Sequence, residues 1–149
     1  MGVEAFRELV SSRLAGRVVF VSLFGSVAEG RAGGLSDVDV AVLPKKVDAE
    51  GRLLLATEIA ELASEAFGVP EDRVDVVFLD SDDLPIGLAY KAVVRGVTVY
   101  CAEKAACSEL RLRVLSEFLD FQVFREKMDL ERRYIEALKR RVGLGLEAR

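Results

Sequence analysis

The chain has 149 residues, 51% of them hydrophobic and 31% charged, with a net charge of −4 and no histidine. That is one domain with enough apolar material for a core, and it excludes a disordered or low-complexity chain. The acidic balance argues against non-specific nucleic-acid binding, missing histidine excludes Ser-His and Cys-His catalysis, and no apolar run reaches membrane-span length.

In chain order, Val3 to Leu14 reads as an amphipathic helix with Val3, Phe6, Leu9, Val10 and Leu14 on one stripe, ended by Gly16. Arg17 to Phe24 is an almost unbroken apolar run, which predicts a strand buried on both faces. Gly25-Ser26 follows it. The connection from Val27 to Leu35 is too short for a helical crossover, so the next strand is predicted antiparallel. That strand, Asp37 to Leu43, carries Asp37 and Asp39 on one face and Val38, Val40 and Val42 on the other. Pro44 is expected to stop it.

Asp48 is a suitable N-cap for a helix in which Leu53, Ala56, Ile59, Ala60, Ala63 and Phe67 recur at helical spacing, closed by Gly68. Pro70 to Asp72 turns into a third strand, Val74 to Leu79, reached by a helical crossover and therefore parallel to the second. Asp75 lies at its start. Asp80, Ser81, Asp82 and Asp83 read as a structural loop and N-cap before Pro85. A short helix, Ile86 to Val94, and an edge strand, Val97 to Cys101, come next. From Ala105 to Val142 there is neither glycine nor proline, which predicts one long helix or two continuous ones. Its apolar stripe is broad enough for more than one neighbour, its own sheet and either a second subunit or a different protein. A helix packed wholly on its own domain is the alternative.

Cys101 and Cys107 are the only cysteines, and without histidine they do not suggest zinc; they read as small apolar fillers. The N-terminus lacks the basic and apolar regions of a signal peptide, and Phe6 breaks a myristoylation pattern, so a cytoplasmic location is expected. Absence of asparagine, a single glutamine (Gln122) and abundant Glu and Arg fit a thermophile source.

Aspartate is depleted in strands, so two on one strand face need a reason. A hard cation such as Mg²⁺, held by carboxylates and substrate phosphates, supplies one. Gly25 would let the backbone approach a ligand closely, and Ser26 adds a hydroxyl where the strand ends. Asp75 is a third carboxylate that could bind metal or accept a proton. A phosphate cradle beside paired carboxylates outlines phosphoryl or nucleotidyl transfer. No Walker A or Rossmann glycine pattern competes.

The spacing Gly25-Ser26, ten residues, Asp37-Val38-Asp39 resembles the signature of the DNA polymerase beta-like nucleotidyltransferase superfamily. The longer stretch from Phe24 through Ala32, then Ser36 to Val40, is similar to its minimal nucleotidyltransferase branch, the antitoxins encoded beside a HEPN-type helical toxin. The resemblance implies a mixed α/β nucleotidyltransferase fold over residues 1–149, with 105–142 as a C-terminal helical extension. It implies Gly25 and Ser26 on the nucleotide phosphates and Asp37, Asp39 and Asp75 as metal-holding catalytic residues, with Mg²⁺, two ions by expectation, and ATP as substrate. Many relatives carry arginine where this chain has Val27 and Glu29; Arg31 is a nearby substitute in sequence. The implied activity is transfer of AMP to a tyrosine of a HEPN toxin partner. No nucleic acid or membrane contact is expected, and self-association would use the C-terminal helix. Alternatives are a small-molecule nucleotidyltransferase of the aminoglycoside-modifying kind, and a non-catalytic antitoxin that silences its toxin by binding.

Overall fold

The structure, a computed structural model, describes residues 2–30 and 37–143. It divides into two units, Met1–Leu115 and Ser116–Arg149. The first contains helices α1 (Val3–Arg13), α2 (Ala49–Phe67) and α3 (Ile86–Val93), strands β1 (Val18–Phe24), β2 (Val38–Pro44), β3 (Val74–Phe78) and β4 (Val97–Cys101), and the start of α4 (Lys104–Arg141). The strands form one mixed sheet in the order β3-β2-β1-β4. As the short connection and the crossover predict, β1 and β2 are antiparallel while β2 and β3 are parallel. β4 pairs antiparallel with β1 and forms one edge.

Strand alternation divides the core. Val38, Val40 and Val42 of β2, with Val21 and Leu23 of β1, pack with Phe6, Val10, Leu55, Ile59 and Leu62 of α1 and α2. On the opposite face Phe20 packs with Ala89 and Val93 of α3 and with Cys107, Leu110 and Val114 of α4, while Phe24 and Ala41 pack with Ala92 of α3. Burying both faces explains why β1 is apolar nearly throughout. Its exception is Ser22, fully buried, whose hydroxyl donates to the Ala92 carbonyl at 2.8 Å and ties α3 to the sheet. Gly96 keeps the same layers close: a Cβ there would lie 2.4 Å from the Ala92 carbonyl oxygen and 2.6 Å from that of Leu23.

Local signals account for the helix ends. The Asp48 side chain accepts the Gly51 N–H at 2.7 Å, and Gly68 closes α2 in the left-handed region. The buried stripe of α2 differs from the sequence expectation. Leu55, Ile59, Leu62 and Ala66 face the core, whereas Leu53 is 69% exposed. Three consecutive leucines, Leu53 to Leu55, left the phase of the helix undetermined by periodicity alone. Pro44 is the last paired residue of β2, opposite Val18, and does not lie beyond it. Before α3, Pro85 takes the N-cap position without a side-chain cap, and Ser81 accepts the Asp83 N–H, so the expected side-chain cap is absent there.

The cysteines are a correction. Cys101 and Cys107 form a disulfide joining the end of β4 to the first turns of α4. The chain reverses between them and brings their Cα atoms to 6.3 Å, within bridging range. Helix α4 is one continuous element, and its stretch beyond Leu115 forms the second unit. Among the described residues, no helix is long and apolar enough to cross a membrane.

Candidate active site

β1 and β2 lie antiparallel with Phe24 opposite Asp39, so the residue following β1, Gly25, comes beside the Asp39 side chain. The contact leaves no room for a methyl group: a Cβ on Gly25 would be 2.4 Å from Asp39 Oδ2. Gly25 also has φ +75°, a conformation glycine adopts without steric cost. After it the chain turns tightly, with the Glu29 N–H donating to the Gly25 carbonyl at 3.1 Å. Ser26 is the first residue inside that turn.

On the other side of β2, parallel pairing sets Asp39 directly opposite Asp75 of β3. The two carboxyls therefore rise from the same side of the sheet, near enough for the charge of one to act on the other. Burial pushes the Asp39 carboxyl above the usual range, and the nearby charges of Asp75 and Asp37 push it the same way. The Lys91 ammonium opposes them. Asp37, just before β2, is exposed and faces Arg73, 3.6 Å from its Oδ1. Thus Asp39 and Asp75 meet, while Asp37 stands close enough to act on Asp39 through its charge but leans toward a guanidinium.

Among the described residues, no three acidic side chains already stand as a closed metal cage. Mg²⁺ does not need one, because it keeps several waters and takes one or two carboxylates plus substrate phosphates. Two carboxyls opposed in register, one of them raised by burial and by the other's charge, are the donor set such a cation relieves, so the residues present fit it.

A cleft of about 150 Å³ opens at Gly25, the residue in contact with Asp39, and is lined by Phe24, Gly25, Glu29, Lys91 and Arg95. Lys91 lies in α3 and Arg95 just beyond its end, four residues apart, so both basic groups reach the cleft that Gly25 borders. Neither lies in the loop after β1, where the sequence alone points to a cation at Arg31. The available signal was an (i, i+4) basic pair at the end of an otherwise apolar helix. Arg31 and Ser36 lie outside the described residues.

A family model described as "Polymerase beta, Nucleotidyltransferase" matches residues 9–105, about two thirds of the chain. No curated protein matches the sequence significantly. Solved structures do. A chain of a crystal structure of a toxin-antitoxin with AMP-PNP is 21% identical, with a TM-score of 0.61, over 86% of this chain and 95% of that one. A chain of the toxin-antitoxin MntA-HepT is 20% identical, with a TM-score of 0.54, over 85% and 92%. A third belongs to a tri-AMPylated Shewanella oneidensis HEPN toxin in complex with MNT antitoxin: 18% identity, a TM-score of 0.57, and coverage of 85% and 94%. At these identities the likeness is one of fold.

Proposed function

The chain belongs to the polymerase beta nucleotidyltransferase family, and we propose that within it this protein is an antitoxin that transfers AMP from ATP to a tyrosine hydroxyl of a HEPN-type toxin. The observation that carries the chemistry is the Asp39–Asp75 pair: two carboxyls opposed in register, with Asp39 raised toward its protonated form, beside the tight Gly25 turn. Such a pair is costly to keep in a protein with no cation to bind.

In the proposed reaction the tyrosine oxygen attacks the α-phosphorus of ATP. A new P–O bond forms there as the bond to pyrophosphate breaks, and the hydroxyl proton passes to Asp75. Asp37, Asp39 and Asp75 would hold Mg²⁺, whose contribution when bound is charge neutralisation on the attacking and leaving oxygens. Gly25, which lines the cleft, and Ser26 after it would position the triphosphate, and the absence of a side chain on Gly25 would allow a close approach. Lys91 and Arg95 line the cleft that Gly25 borders and would balance the polyphosphate charge. The solved toxin-antitoxin complexes of like fold, one with AMP-PNP and one with a tri-AMPylated HEPN toxin, support ATP as donor and a protein as acceptor.

The test is incubation of the purified protein with Mg²⁺, radiolabelled ATP and the helical protein encoded next to it, followed by gel and mass spectrometry. The expected result is a tyrosine of the partner heavier by one or more AMP groups. Label should be absent with the Asp37→Ala, Asp39→Ala variant. If that variant still neutralises the toxin, binding alone accounts for antitoxicity.

A further inference from the structure

Beyond Leu115 the helix α4 exposes nearly all of its apolar side chains. Phe121, Phe124, Met128, Ile135, Leu138 and Val142 are between 38% and 62% exposed. Their spacing is that of a heptad seam: Phe121, Met128, Ile135 and Val142 recur every seven residues, with Phe124 and Leu138 three residues after the first and third. Glu131 holds the equivalent place after Met128. A helix with such a seam is marginal in water on its own and is completed by a second helix.

The charges along the seam select the second helix. Arg125, Arg132 and Lys139 follow Phe124, Glu131 and Leu138 directly and form one continuous basic flank. Arg125 stacks over Phe121 at the seam's edge. Arg132 shares the single carboxylate of Asp129 with Arg133, so that face keeps a positive surplus. Two copies meeting antiparallel would set this flank against itself. Two copies meeting parallel would bury Glu131 against Glu131 and set Lys127 beside Arg132. Both arrangements of a self-pair therefore carry like-charge repulsion, which works as discrimination against the identical chain.

We propose that residues 121–142 form a docking surface for a different protein, which presents a helix with an apolar seam, acidic residues on its flank and a basic residue facing Glu131. The surface lies wholly in the C-terminal unit and does not depend on the transfer chemistry.

The full chain tests this with two designed peptides of about four heptads, both with Leu and Ile in the seam and a lysine facing Glu131. One has Glu along its flanks and the other Lys. Fluorescence anisotropy is expected to show the Glu peptide binding at least roughly tenfold tighter than the Lys peptide, with added salt narrowing the gap. The Arg125→Glu, Arg132→Glu, Lys139→Glu variant should reverse the preference, and Phe124→Glu with Ile135→Glu should abolish binding. All these positions are exposed, and circular dichroism checks that the variants remain folded. Equal binding of both peptides, or of neither, overturns the proposal. So does light scattering that finds a dimer dissolved by Phe124→Glu with Ile135→Glu, because the occupant is then a second copy. AMP transfer is measured separately, so either reading can fail without the other.

Discussion

Asp39 and Asp75 stand opposite each other across the parallel β2–β3 pair, and burial together with the Asp75 charge raises the Asp39 carboxyl above its ordinary range. The folded chain therefore retains a proton there that the unfolded chain releases at lower pH. The stability from this site is complete below the ordinary aspartate range and is lost as pH rises through the raised value of Asp39. Asp80 works in the opposite sense. The hydrogen bond from Arg52 lowers it, so its contribution is present above the ordinary range and is lost as pH falls through the lowered value. Asp80 is about one-third exposed, which weakens that contribution.

Asp39→Asn should consequently raise the Tm at neutral pH, by about 2–6 °C, the scale of one stabilising substitution in a domain of this size. The gain should shrink as pH is lowered toward the ordinary aspartate range. Mg²⁺ at neutral pH should raise the Tm of the parent protein and leave the variant unchanged, while AMP transfer disappears in the variant. Differential scanning calorimetry across pH, with and without Mg²⁺, measures each part. A variant less stable than its parent at neutral pH would contradict the account.

Gly25 and Asp39 compete for one volume. In Gly25→Ala the new methyl group would meet Asp39 Oδ2, and the positive φ adds strain. The carboxylate, as the freer group, must rotate away from the cleft. Transfer should fall by about 100-fold, the order of effect that an ångström-scale displacement of a catalytic group produces. Binding of Mg²⁺, followed by its Tm shift, should weaken in parallel. Full activity in this variant would show that Asp39 does not act from its observed position.

Lys91 is the cation whose charge reaches Asp39, and it shares the cleft with Arg95. Lys91→Met should lower kcat/KM for ATP by roughly 10² to 10³, as removal of one charged stabiliser does elsewhere. Arg95→Met should act mainly through KM if its contact is with the outer phosphates. Steady-state kinetics with ATP varied separates the two. Unchanged kinetics in both variants would leave the triphosphate without these cations.

Much of this was legible in the sequence because it depended on neighbours along the chain. The antiparallel β1–β2 pair follows from a connection too short for a crossover, and alternation alone turned Val38, Val40 and Val42 to one core and Asp39 to the other face. What escaped depended on distant packing. Lys91 enters the cleft because Ser22 and Gly96 hold α3 tightly on β1, a relation between segments some 70 residues apart. The phase of α2 escaped because Leu53, Leu54 and Leu55 offer equivalent helical stripes until α1 and the sheet choose Leu55. The disulfide escaped because residues six apart in sequence become neighbours only once β4 and α4 are seen to meet at a sharp reversal.

That disulfide supplies the last prediction. It closes a loop of few residues, for which the loss of unfolded-chain entropy amounts to about 2 kcal/mol. Cys107 is buried among Phe20, Leu110 and Val114, so the bridge fixes the start of α4 on the sheet face that also carries α3. Reduction, or Cys101→Ser, should lower the Tm by several degrees. The Cys107→Ser change should cost more, because it also buries a hydroxyl in an apolar cluster. Calorimetry on oxidised, reduced and substituted protein, with free thiols titrated in each sample, compares the three directly. Equal Tm values for the oxidised and reduced forms would mean that packing around Leu110 and Val114 holds the start of α4 without the covalent link.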